Sequence, residues 1–213
     1  MEKVVVIAVH PDDETLGCGG TILKHLKNGD EVHCILITKG NKEQEMIWNQ
    51  VKAFYNFTST IELDFPELYL ADTSLNKLIP AISSSFNKIQ PSTLYIPNRS
   101  DMHSDHQAVF KAVSACTKVF RYPFIEKVLM CEVISETDFV LPTIENIFIP
   151  NYFVDISNEM EEKVEIMKLY ESEMLPYPAT RNESTMRALN RHRGSMIGTE
   201  YAEAFMSLKI IIR

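Results

Sequence analysis

The amino-acid sequence predicts a three-layer α/β/α fold in which a mostly parallel sheet is covered by helices on both faces. Continuous apolar, β-branched runs occur at Val4–Val9 and Val32–Thr38, and such runs are typical of strands that are buried on both faces. The segments between the predicted strands carry apolar residues at helical spacing. Strands that alternate with helices favour parallel pairing, because each helix returns the chain to the same edge of the sheet.

The remaining elements follow in order along the chain. Gly29 can end the first helix, and Ser157 is a suitable N-cap for a helix with acidic residues in its first turn. The later predicted strands are Thr60–Leu63, Thr93–Ile96, Lys127–Val133, Tyr152–Ile156 and Leu208–Ile212, and the helices are Thr21–Lys27, Glu43–Phe57, Leu75–Ile89, Ser104–Phe120 and one after Ser157. We expect residues 136–151 and 172–186 to be loops, and residues 1–213 to form a single Rossmann-like domain.

The composition narrows the class of protein. A chain of 213 residues with 45% hydrophobic and 23% charged residues has the composition of a globular domain. Its 21 basic and 29 acidic residues give a net charge of −8. Nucleic-acid binding requires clustered Lys and Arg that neutralise phosphates, so we do not expect a nucleic-acid partner.

Cysteine usage and hydropathy indicate the compartment. The four cysteines at positions 18, 34, 116 and 131 form no C-x-x-C pair, which argues against a structural zinc site and against a disulfide framework. The apolar run at the start is too short for a signal peptide, and no run approaches the ~20 residues of a membrane span. We therefore expect a cytoplasmic protein without an integral membrane segment.

Ionisable residues cluster directly after the first strand, at His10, Asp12, Asp13 and Glu14. Adjacent carboxylates repel one another, and a divalent cation is the usual compensation. The acidic residues could instead simply cap the following helix. In an open α/β sheet, however, ligands gather at the carboxyl ends of strands, which favours a site here.

A second cluster follows the strand that ends near Pro97. His103 and His106 are three residues apart, so both can lie on one side of a helical turn, with Asp105 between them. Taken alone, this pair is also compatible with a solvated helix start. Together with the first cluster it supplies histidine and aspartate donors for an open zinc site that leaves room for water and substrate, and ferrous iron is compatible with the same donors.

These motifs resemble the LmbE/PIG-L family of zinc-dependent N-acetylglucosaminyl deacetylases. The signature is similar over nearly the whole chain. It comprises AVHPDDETLGCGGT at residues 8–21, Thr38-Lys39-Gly40, Asp72, His103-Ser104-Asp105-His106, Arg193-Gly194, Gly198 and Tyr201-Ala202-Glu203-Ala204-Phe205. The resemblance implies a metal-dependent hydrolase that removes the acetyl group from an N-acetylated amino sugar or its conjugate, a small-molecule substrate.

The resemblance also implies a role for each site residue. Zinc would be bound by His10, Asp13 and His106. Asp12 would be the general base. His103 would stabilise the oxyanion and protonate the leaving amine, with Asp105 orienting its imidazole and thereby raising the pKa of that ring. Asp72 would bind a sugar hydroxyl.

One position departs from the family pattern. The family often carries an Arg early in the helix after the second strand, whereas residues 42–48 contain only Lys42 as a cation. Arg99 is the candidate substitute in substrate binding, and the alternative, which the sequence favours, is an ordinary exposed arginine in a loop. A metal-dependent amidase or esterase acting on another acyl group, or a silent sugar-binding module, would share the scaffold. The sequence is compatible with a homo-oligomer and leaves the oligomeric state open.

Overall fold

The computed structural model describes all 213 residues, and strands from both ends of the chain join one seven-stranded sheet in the order β3-β2-β1-β4-β5-β7-β6. The strands are β1 Lys3–Ala8, β2 Glu31–Lys39, β3 Ser59–Pro66, β4 Thr93–Ile96, β5 Lys127–Cys131, β6 Tyr152–Asp155 and β7 Ala202–Ile210. The helices are α1 Asp13–Lys27, α2 Lys42–Tyr55, α3 Leu75–Ile89, α4 Ser104–Ala115, α5 Met160–Leu169 and α6 Glu183–Ser195. The first five strands are parallel, and β7 is antiparallel to both of its neighbours.

The apolar residues of β1 divide between two cores because successive side chains of a strand point to opposite faces. Val4 and Val6 pack in the core beneath α1, α2, α5 and α6. Val5 and Ile7 pack in the core beneath α3 and α4. The predicted three-layer α/β/α arrangement with a mostly parallel sheet is therefore confirmed.

The predicted starts of three elements were wrong, and the helix predicted over Ser104–Phe120 ends at Ala115. Helix α1 begins at Asp13 rather than Thr21, with a break at Cys18. Gly20 is required after this break, since a Cβ there would lie 2.8 Å from Ile156. Helix α5 begins at Met160, because the Ser157 hydroxyl donates to Asp155 Oδ1 at 2.6 Å instead of capping a helix. The last strand starts six residues earlier than predicted, at Ala202 instead of Leu208.

Helix α6 was not predicted, and its first residues fall in a segment that we expected to be a loop. Only Met186, Asn190 and Gly194 are buried along its 13 residues, so no apolar periodicity marks it. A polar contact at the helix start supplements the packing of Met186 in the core. The Asn182 side chain accepts the backbone N–H of Thr185 at 2.9 Å.

The chain order of the strands creates a crevice beside β1. From β1 the chain proceeds outward to β2 and β3, and it then returns to build β4 and β5 on the other side of β1. Ligands in open α/β sheets bind at such a switch point, outside the carboxyl ends of the strands. Both ionisable motifs follow the two strands that meet there. No helix has both the length and the apolar character that crossing a bilayer requires.

Candidate metal centre

The two ionisable motifs meet at the carboxyl edge of the sheet. His10 follows β1, and Asp13 is the first residue of α1. His103 is the N-cap of α4, and His106 lies in the first turn of that helix. Since β1 and β4 are adjacent parallel strands, the segments that leave them converge over the same crevice.

His10, Asp13 and His106 form a set of donors that fits a divalent metal ion. One ligand atom from each lies within 4.8 Å of the others. His106 Nε2 lies 3.2 Å from Asp13 Oδ2, and His10 Nδ1 lies 3.6 Å from the same oxygen. Burial by itself would raise the pKa of Asp13, but the imidazoles of His106 and His10 hold it well below its ordinary value. Two imidazoles and one ionised carboxylate are the donor set of an open zinc site.

Each of the two histidines places its second ring nitrogen on a carboxylate. His106 Nδ1 lies 2.8 Å from Asp101 Oδ2, and His10 Nε2 lies 3.2 Å from Asp105 Oδ2. In metal sites, such carboxylates fix the tautomer and the orientation of the ligating ring and increase its basicity. Both histidines are therefore oriented with their other nitrogen toward Asp13.

Asp105 contacts a different histidine from the one we expected. Its carboxylate accepts backbone N–H groups of Leu68 and Leu70 at 2.8 and 3.0 Å and contacts His10. His103 interacts with the main chain of Asp105, whose N–H donates to His103 Nδ1 at 3.1 Å. The reason is the helix start, because the N-cap position directs the His103 ring at its own first turn.

The pKa of His103 is lowered, contrary to the sequence prediction. Burial is the main cause, and the nearby His10 adds to it. An acceptor at Nδ1 leaves the proton of the neutral ring at Nε2. His103 therefore presents a neutral N–H donor, which suits the stabilisation of an oxyanion.

Asp12 and Asp13 are adjacent in sequence, yet their side chains have different partners. Asp12 has a φ of 123°, a strained conformation for a residue other than glycine, and Glu14 Oε2 accepts its backbone N–H at 3.2 Å. This conformation directs Asp13 to the histidines and Asp12 to Arg181, whose Nη1 donates to Asp12 Oδ2 at 2.7 Å. Burial raises the pKa of Asp12, and Arg181 opposes this shift.

Arg181 is the residue that the sequence did not reveal. It lies in the segment between α5 and α6 that we expected to be a loop. In addition to Asp12, its guanidinium contacts Glu173 at 3.0 Å and Glu136 at 3.5 Å. Glu136 in turn accepts the backbone N–H of His103 at 2.9 Å. No local motif marks Arg181, since its partners come from separate parts of the chain.

A cavity of about 180 Å³ opens over the candidate metal centre. Apart from Pro11, its lining residues are polar or charged: His10, Asp12, Gln44, Glu67, His103, Glu136, Glu173 and Arg181. The structure does not bring Asp72 or Arg99 to this cavity. Asp72 is exposed in the turn after β3, and the Arg99 guanidinium donates to the carbonyl of Glu145.

Residues near the end of the chain support the turn that carries Asp13 through a buried ion pair. Glu203 accepts the backbone N–H groups of Gly20 and Thr21 at 2.9 and 2.7 Å, directly after the break in α1. Lys163 Nζ donates to Glu203 at 2.6 Å and to the carbonyl of Leu16 at 3.0 Å. These contacts replace the backbone hydrogen bonds that the break removes and hold the first turn of α1 in place.

The fold and the site define an α/β enzyme with a candidate metal centre at the carboxyl edge of its sheet. The model of the PIG-L family, described as GlcNAc-PI de-N-acetylase, matches residues 5–117, just over half of the 213 residues. The chain belongs to this family, as the resemblance of its motifs predicted.

Individual relatives agree with this assignment. The chain is 26% identical to diacetylchitobiose deacetylase of Thermococcus kodakarensis, over 95% of this chain and 82% of that enzyme. It is 28% identical to the uncharacterised deacetylase YaiS of Escherichia coli, over 54% of this chain and 69% of that protein. The crystal structure of a conserved protein from Thermus thermophilus superposes with a TM-score of 0.79 at 23% identity, covering 100% of this chain and 97% of that one. This last likeness concerns the fold alone.

Proposed function

We propose that this protein is a metal-dependent deacetylase that hydrolyses the acetamide of an N-acetylglucosamine-type sugar or of its conjugate. The observation that carries the proposal is the divergence of the Asp12-Asp13 pair. Asp13 joins two carboxylate-backed histidines, while Asp12 remains outside the donor set and lines the cavity. A ligand set with a separate carboxylate beside it is what amide hydrolysis at a metal requires. Membership of a deacetylase family and the predominantly polar cavity support a sugar amide as the substrate.

The residues divide the chemistry among them. Zinc held by His10, Asp13 and His106 would supply Lewis acidity to the amide carbonyl and to water. Asp12 accepts a proton from the attacking water at its carboxylate and returns it to the departing amine. His103 donates its Nε2–H to the carbonyl oxygen as negative charge develops there. In this assignment Asp12 replaces His103 as the proton donor to the amine, because His103 Nδ1 accepts the Asp105 N–H.

Arg181 and Asp105 act through their neighbours. Arg181 lies 2.7 Å from the Asp12 carboxylate and fixes its position, and Asp105 orients His10. Two imidazoles and one carboxylate also accept ferrous iron, so metal identity is part of the test. The four cysteines are free and buried, which supports a reducing compartment such as the cytoplasm.

The test measures free acetate and free amine after the chelator-stripped protein is reloaded with one equivalent of Zn²⁺ or Fe²⁺. We expect no activity before reloading and equal release of both products from an N-acetylglucosamine substrate afterwards. His106→Ala should abolish metal binding, while His192→Ala, an exposed histidine on α6, is the matched control. Full activity of the stripped protein would refute the proposal. Release of acetate from esters but not from amides would assign the site to the esterase alternative.

A further inference from the structure

A second concavity of about 340 Å³ opens beside the cavity over the metal centre. The two share Glu173 and Arg181, so they adjoin at these two side chains. Their linings differ in character. Pro11 is the only apolar residue that lines the cavity over the metal centre, whereas Phe139, Leu175 and Ala179 line the second concavity. We call this second concavity the apolar groove.

Contacts within two loops fix the position of the apolar groove relative to Asp12. The backbone N–H of Leu175 donates to the carbonyl of Arg181 at 2.8 Å, and the side chain of Arg181 contacts Asp12. The opposite wall is joined to this loop by a hydrogen bond between Ser135 Oγ and Thr180 Oγ1 at 2.7 Å. The groove is therefore built onto the same residues that position the reacting carboxylate.

Large apolar side chains are exposed in this groove. Phe139 is 56% exposed and Leu175 is 52% exposed. Burying such surface against a ligand is favourable by ~25 cal/mol per Å² of apolar area. An aromatic ring such as Phe139 also stacks on flat apolar groups.

The charge at the junction excludes one class of ligand. Arg181 is the only arginine or lysine that lines either concavity, and three carboxylates already contact it, those of Asp12, Glu136 and Glu173. A phosphate or carboxylate group entering here would meet excess negative charge without a free cationic partner. The charge therefore excludes an anionic ligand, and the apolar side chains of Phe139, Leu175 and Ala179 favour a neutral one.

We infer that the natural substrate is a glycoside whose sugar carries a neutral, apolar or aromatic aglycone, and that the apolar groove binds this aglycone. The inference rests on the proposed function for the position of the sugar. It identifies the class of conjugate on which the deacetylase acts, and it makes Phe139, Leu175 and Ala179 determinants of specificity.

The test compares three substrates of the zinc-loaded enzyme: N-acetylglucosamine, its phenyl β-glycoside and its 1-phosphate. We expect kcat/KM to be about tenfold or more higher for the phenyl glycoside than for the free sugar, and lowest for the phosphate. In Ala179→Trp, which fills the groove, the ratio of phenyl glycoside to free sugar should fall to about one. Leu175→Ser should lower the same ratio if the tryptophan variant does not fold. Ile144→Ser, which alters an apolar residue that is 87% exposed and outside the groove, is the matched control and should keep the wild-type ratio.

Calorimetric binding of phenyl β-glucosaminide and of glucosamine separates this inference from the proposed function. Suppose that no acetylated sugar is hydrolysed, but the phenyl glucosaminide binds more tightly than glucosamine and Ala179→Trp abolishes this difference. The proposed function then fails, and the assignment of the groove stands. Equal kcat/KM values for the phenyl glycoside and the free sugar in the wild type would overturn the groove assignment. The same conclusion would follow if the ratio of kcat/KM for the phenyl glycoside to that for the free sugar were unchanged in both groove variants. A dimer in light scattering that Leu175→Ser dissociates would also overturn the assignment, since a second copy would then occupy the groove.

Discussion

Asp101 offers a direct test of the candidate metal centre, because it contacts the proposed ligand His106 without being part of the donor set. It is fully buried. Its Oδ2 lies 2.8 Å from His106 Nδ1, and its Oδ1 accepts the Thr137 hydroxyl at 2.6 Å. In Asp101→Asn the amide oxygen can still accept the His106 N–H while the amide nitrogen donates to Thr137. This substitution therefore removes the negative charge and keeps the shape.

The expected magnitude follows from what each substitution removes. Loss of a carboxylate behind a ligating histidine weakens metal binding by about 10- to 100-fold, which corresponds to about 1.4 to 2.7 kcal/mol. Asp101→Asn retains a hydrogen bond to the ring and should be near the lower limit. Asp101→Ala also releases the orientation of the His106 ring, because nothing then accepts its Nδ1–H, and should be near the upper limit.

The assay is competition for Zn²⁺ against a chromophoric chelator of known affinity. Asp72→Asn, an exposed acid in the turn after β3, is the control and should leave the dissociation constant unchanged. Thermal melts of the metal-free variants show whether folding is retained. A dissociation constant within about twofold of the wild type in both Asp101 variants, well below the roughly tenfold minimum expected, would refute the assignment of His106 as a ligand backed by Asp101.

Three further predictions concern other parts of the structure. Asp12→Asn should keep bound zinc but lower kcat by about 10² or more, because an amide cannot accept the proton; loss of the metal instead would make Asp12 a ligand. Lys163→Met should lower the free energy of unfolding, measured by chemical denaturation, by about 3–5 kcal/mol, because it leaves the buried carboxylate of Glu203 without its cation. The control Lys168→Met removes an exposed ion pair and should lower it by less than ~1 kcal/mol. Equal losses of stability in the two variants would contradict this prediction. Burial raises the pKa of Glu14 from its ordinary 4.5 to about 6, so the folded state binds the extra proton between these values and stability falls by about 2 kcal/mol as pH rises through this window. Glu14→Gln should lack this pH dependence of stability. If the free energy of unfolding of the wild type minus that of the variant is the same at about pH 4.5 and about pH 6.5, the raised pKa of Glu14 is excluded.

The sequence alone determined the layers of the fold and the position of the site. Val4–Val9 is buried on both faces of the sheet, and only a strand covered by helices on both sides tolerates such a run. His10 and Asp13 follow β1, and His106 lies just after β4, so a parallel sheet brings them to one edge wherever the chain turns between them. These features depend on the local pattern of apolar residues and on the parallel direction of the strands, and residues close together in the sequence determine both.

Tertiary structure decided how the side chains at that edge are paired. The Asp105 carboxylate contacts His10, 95 residues away, whereas His103 accepts only the backbone N–H of Asp105, because the helix start turns the His103 ring toward the main chain. Arg181 reaches Asp12 across 169 residues from a loop that precedes a helix without apolar periodicity. Contacts of this kind depend on the directions in which distant segments enter the crevice, and no local pattern of residues encodes those directions.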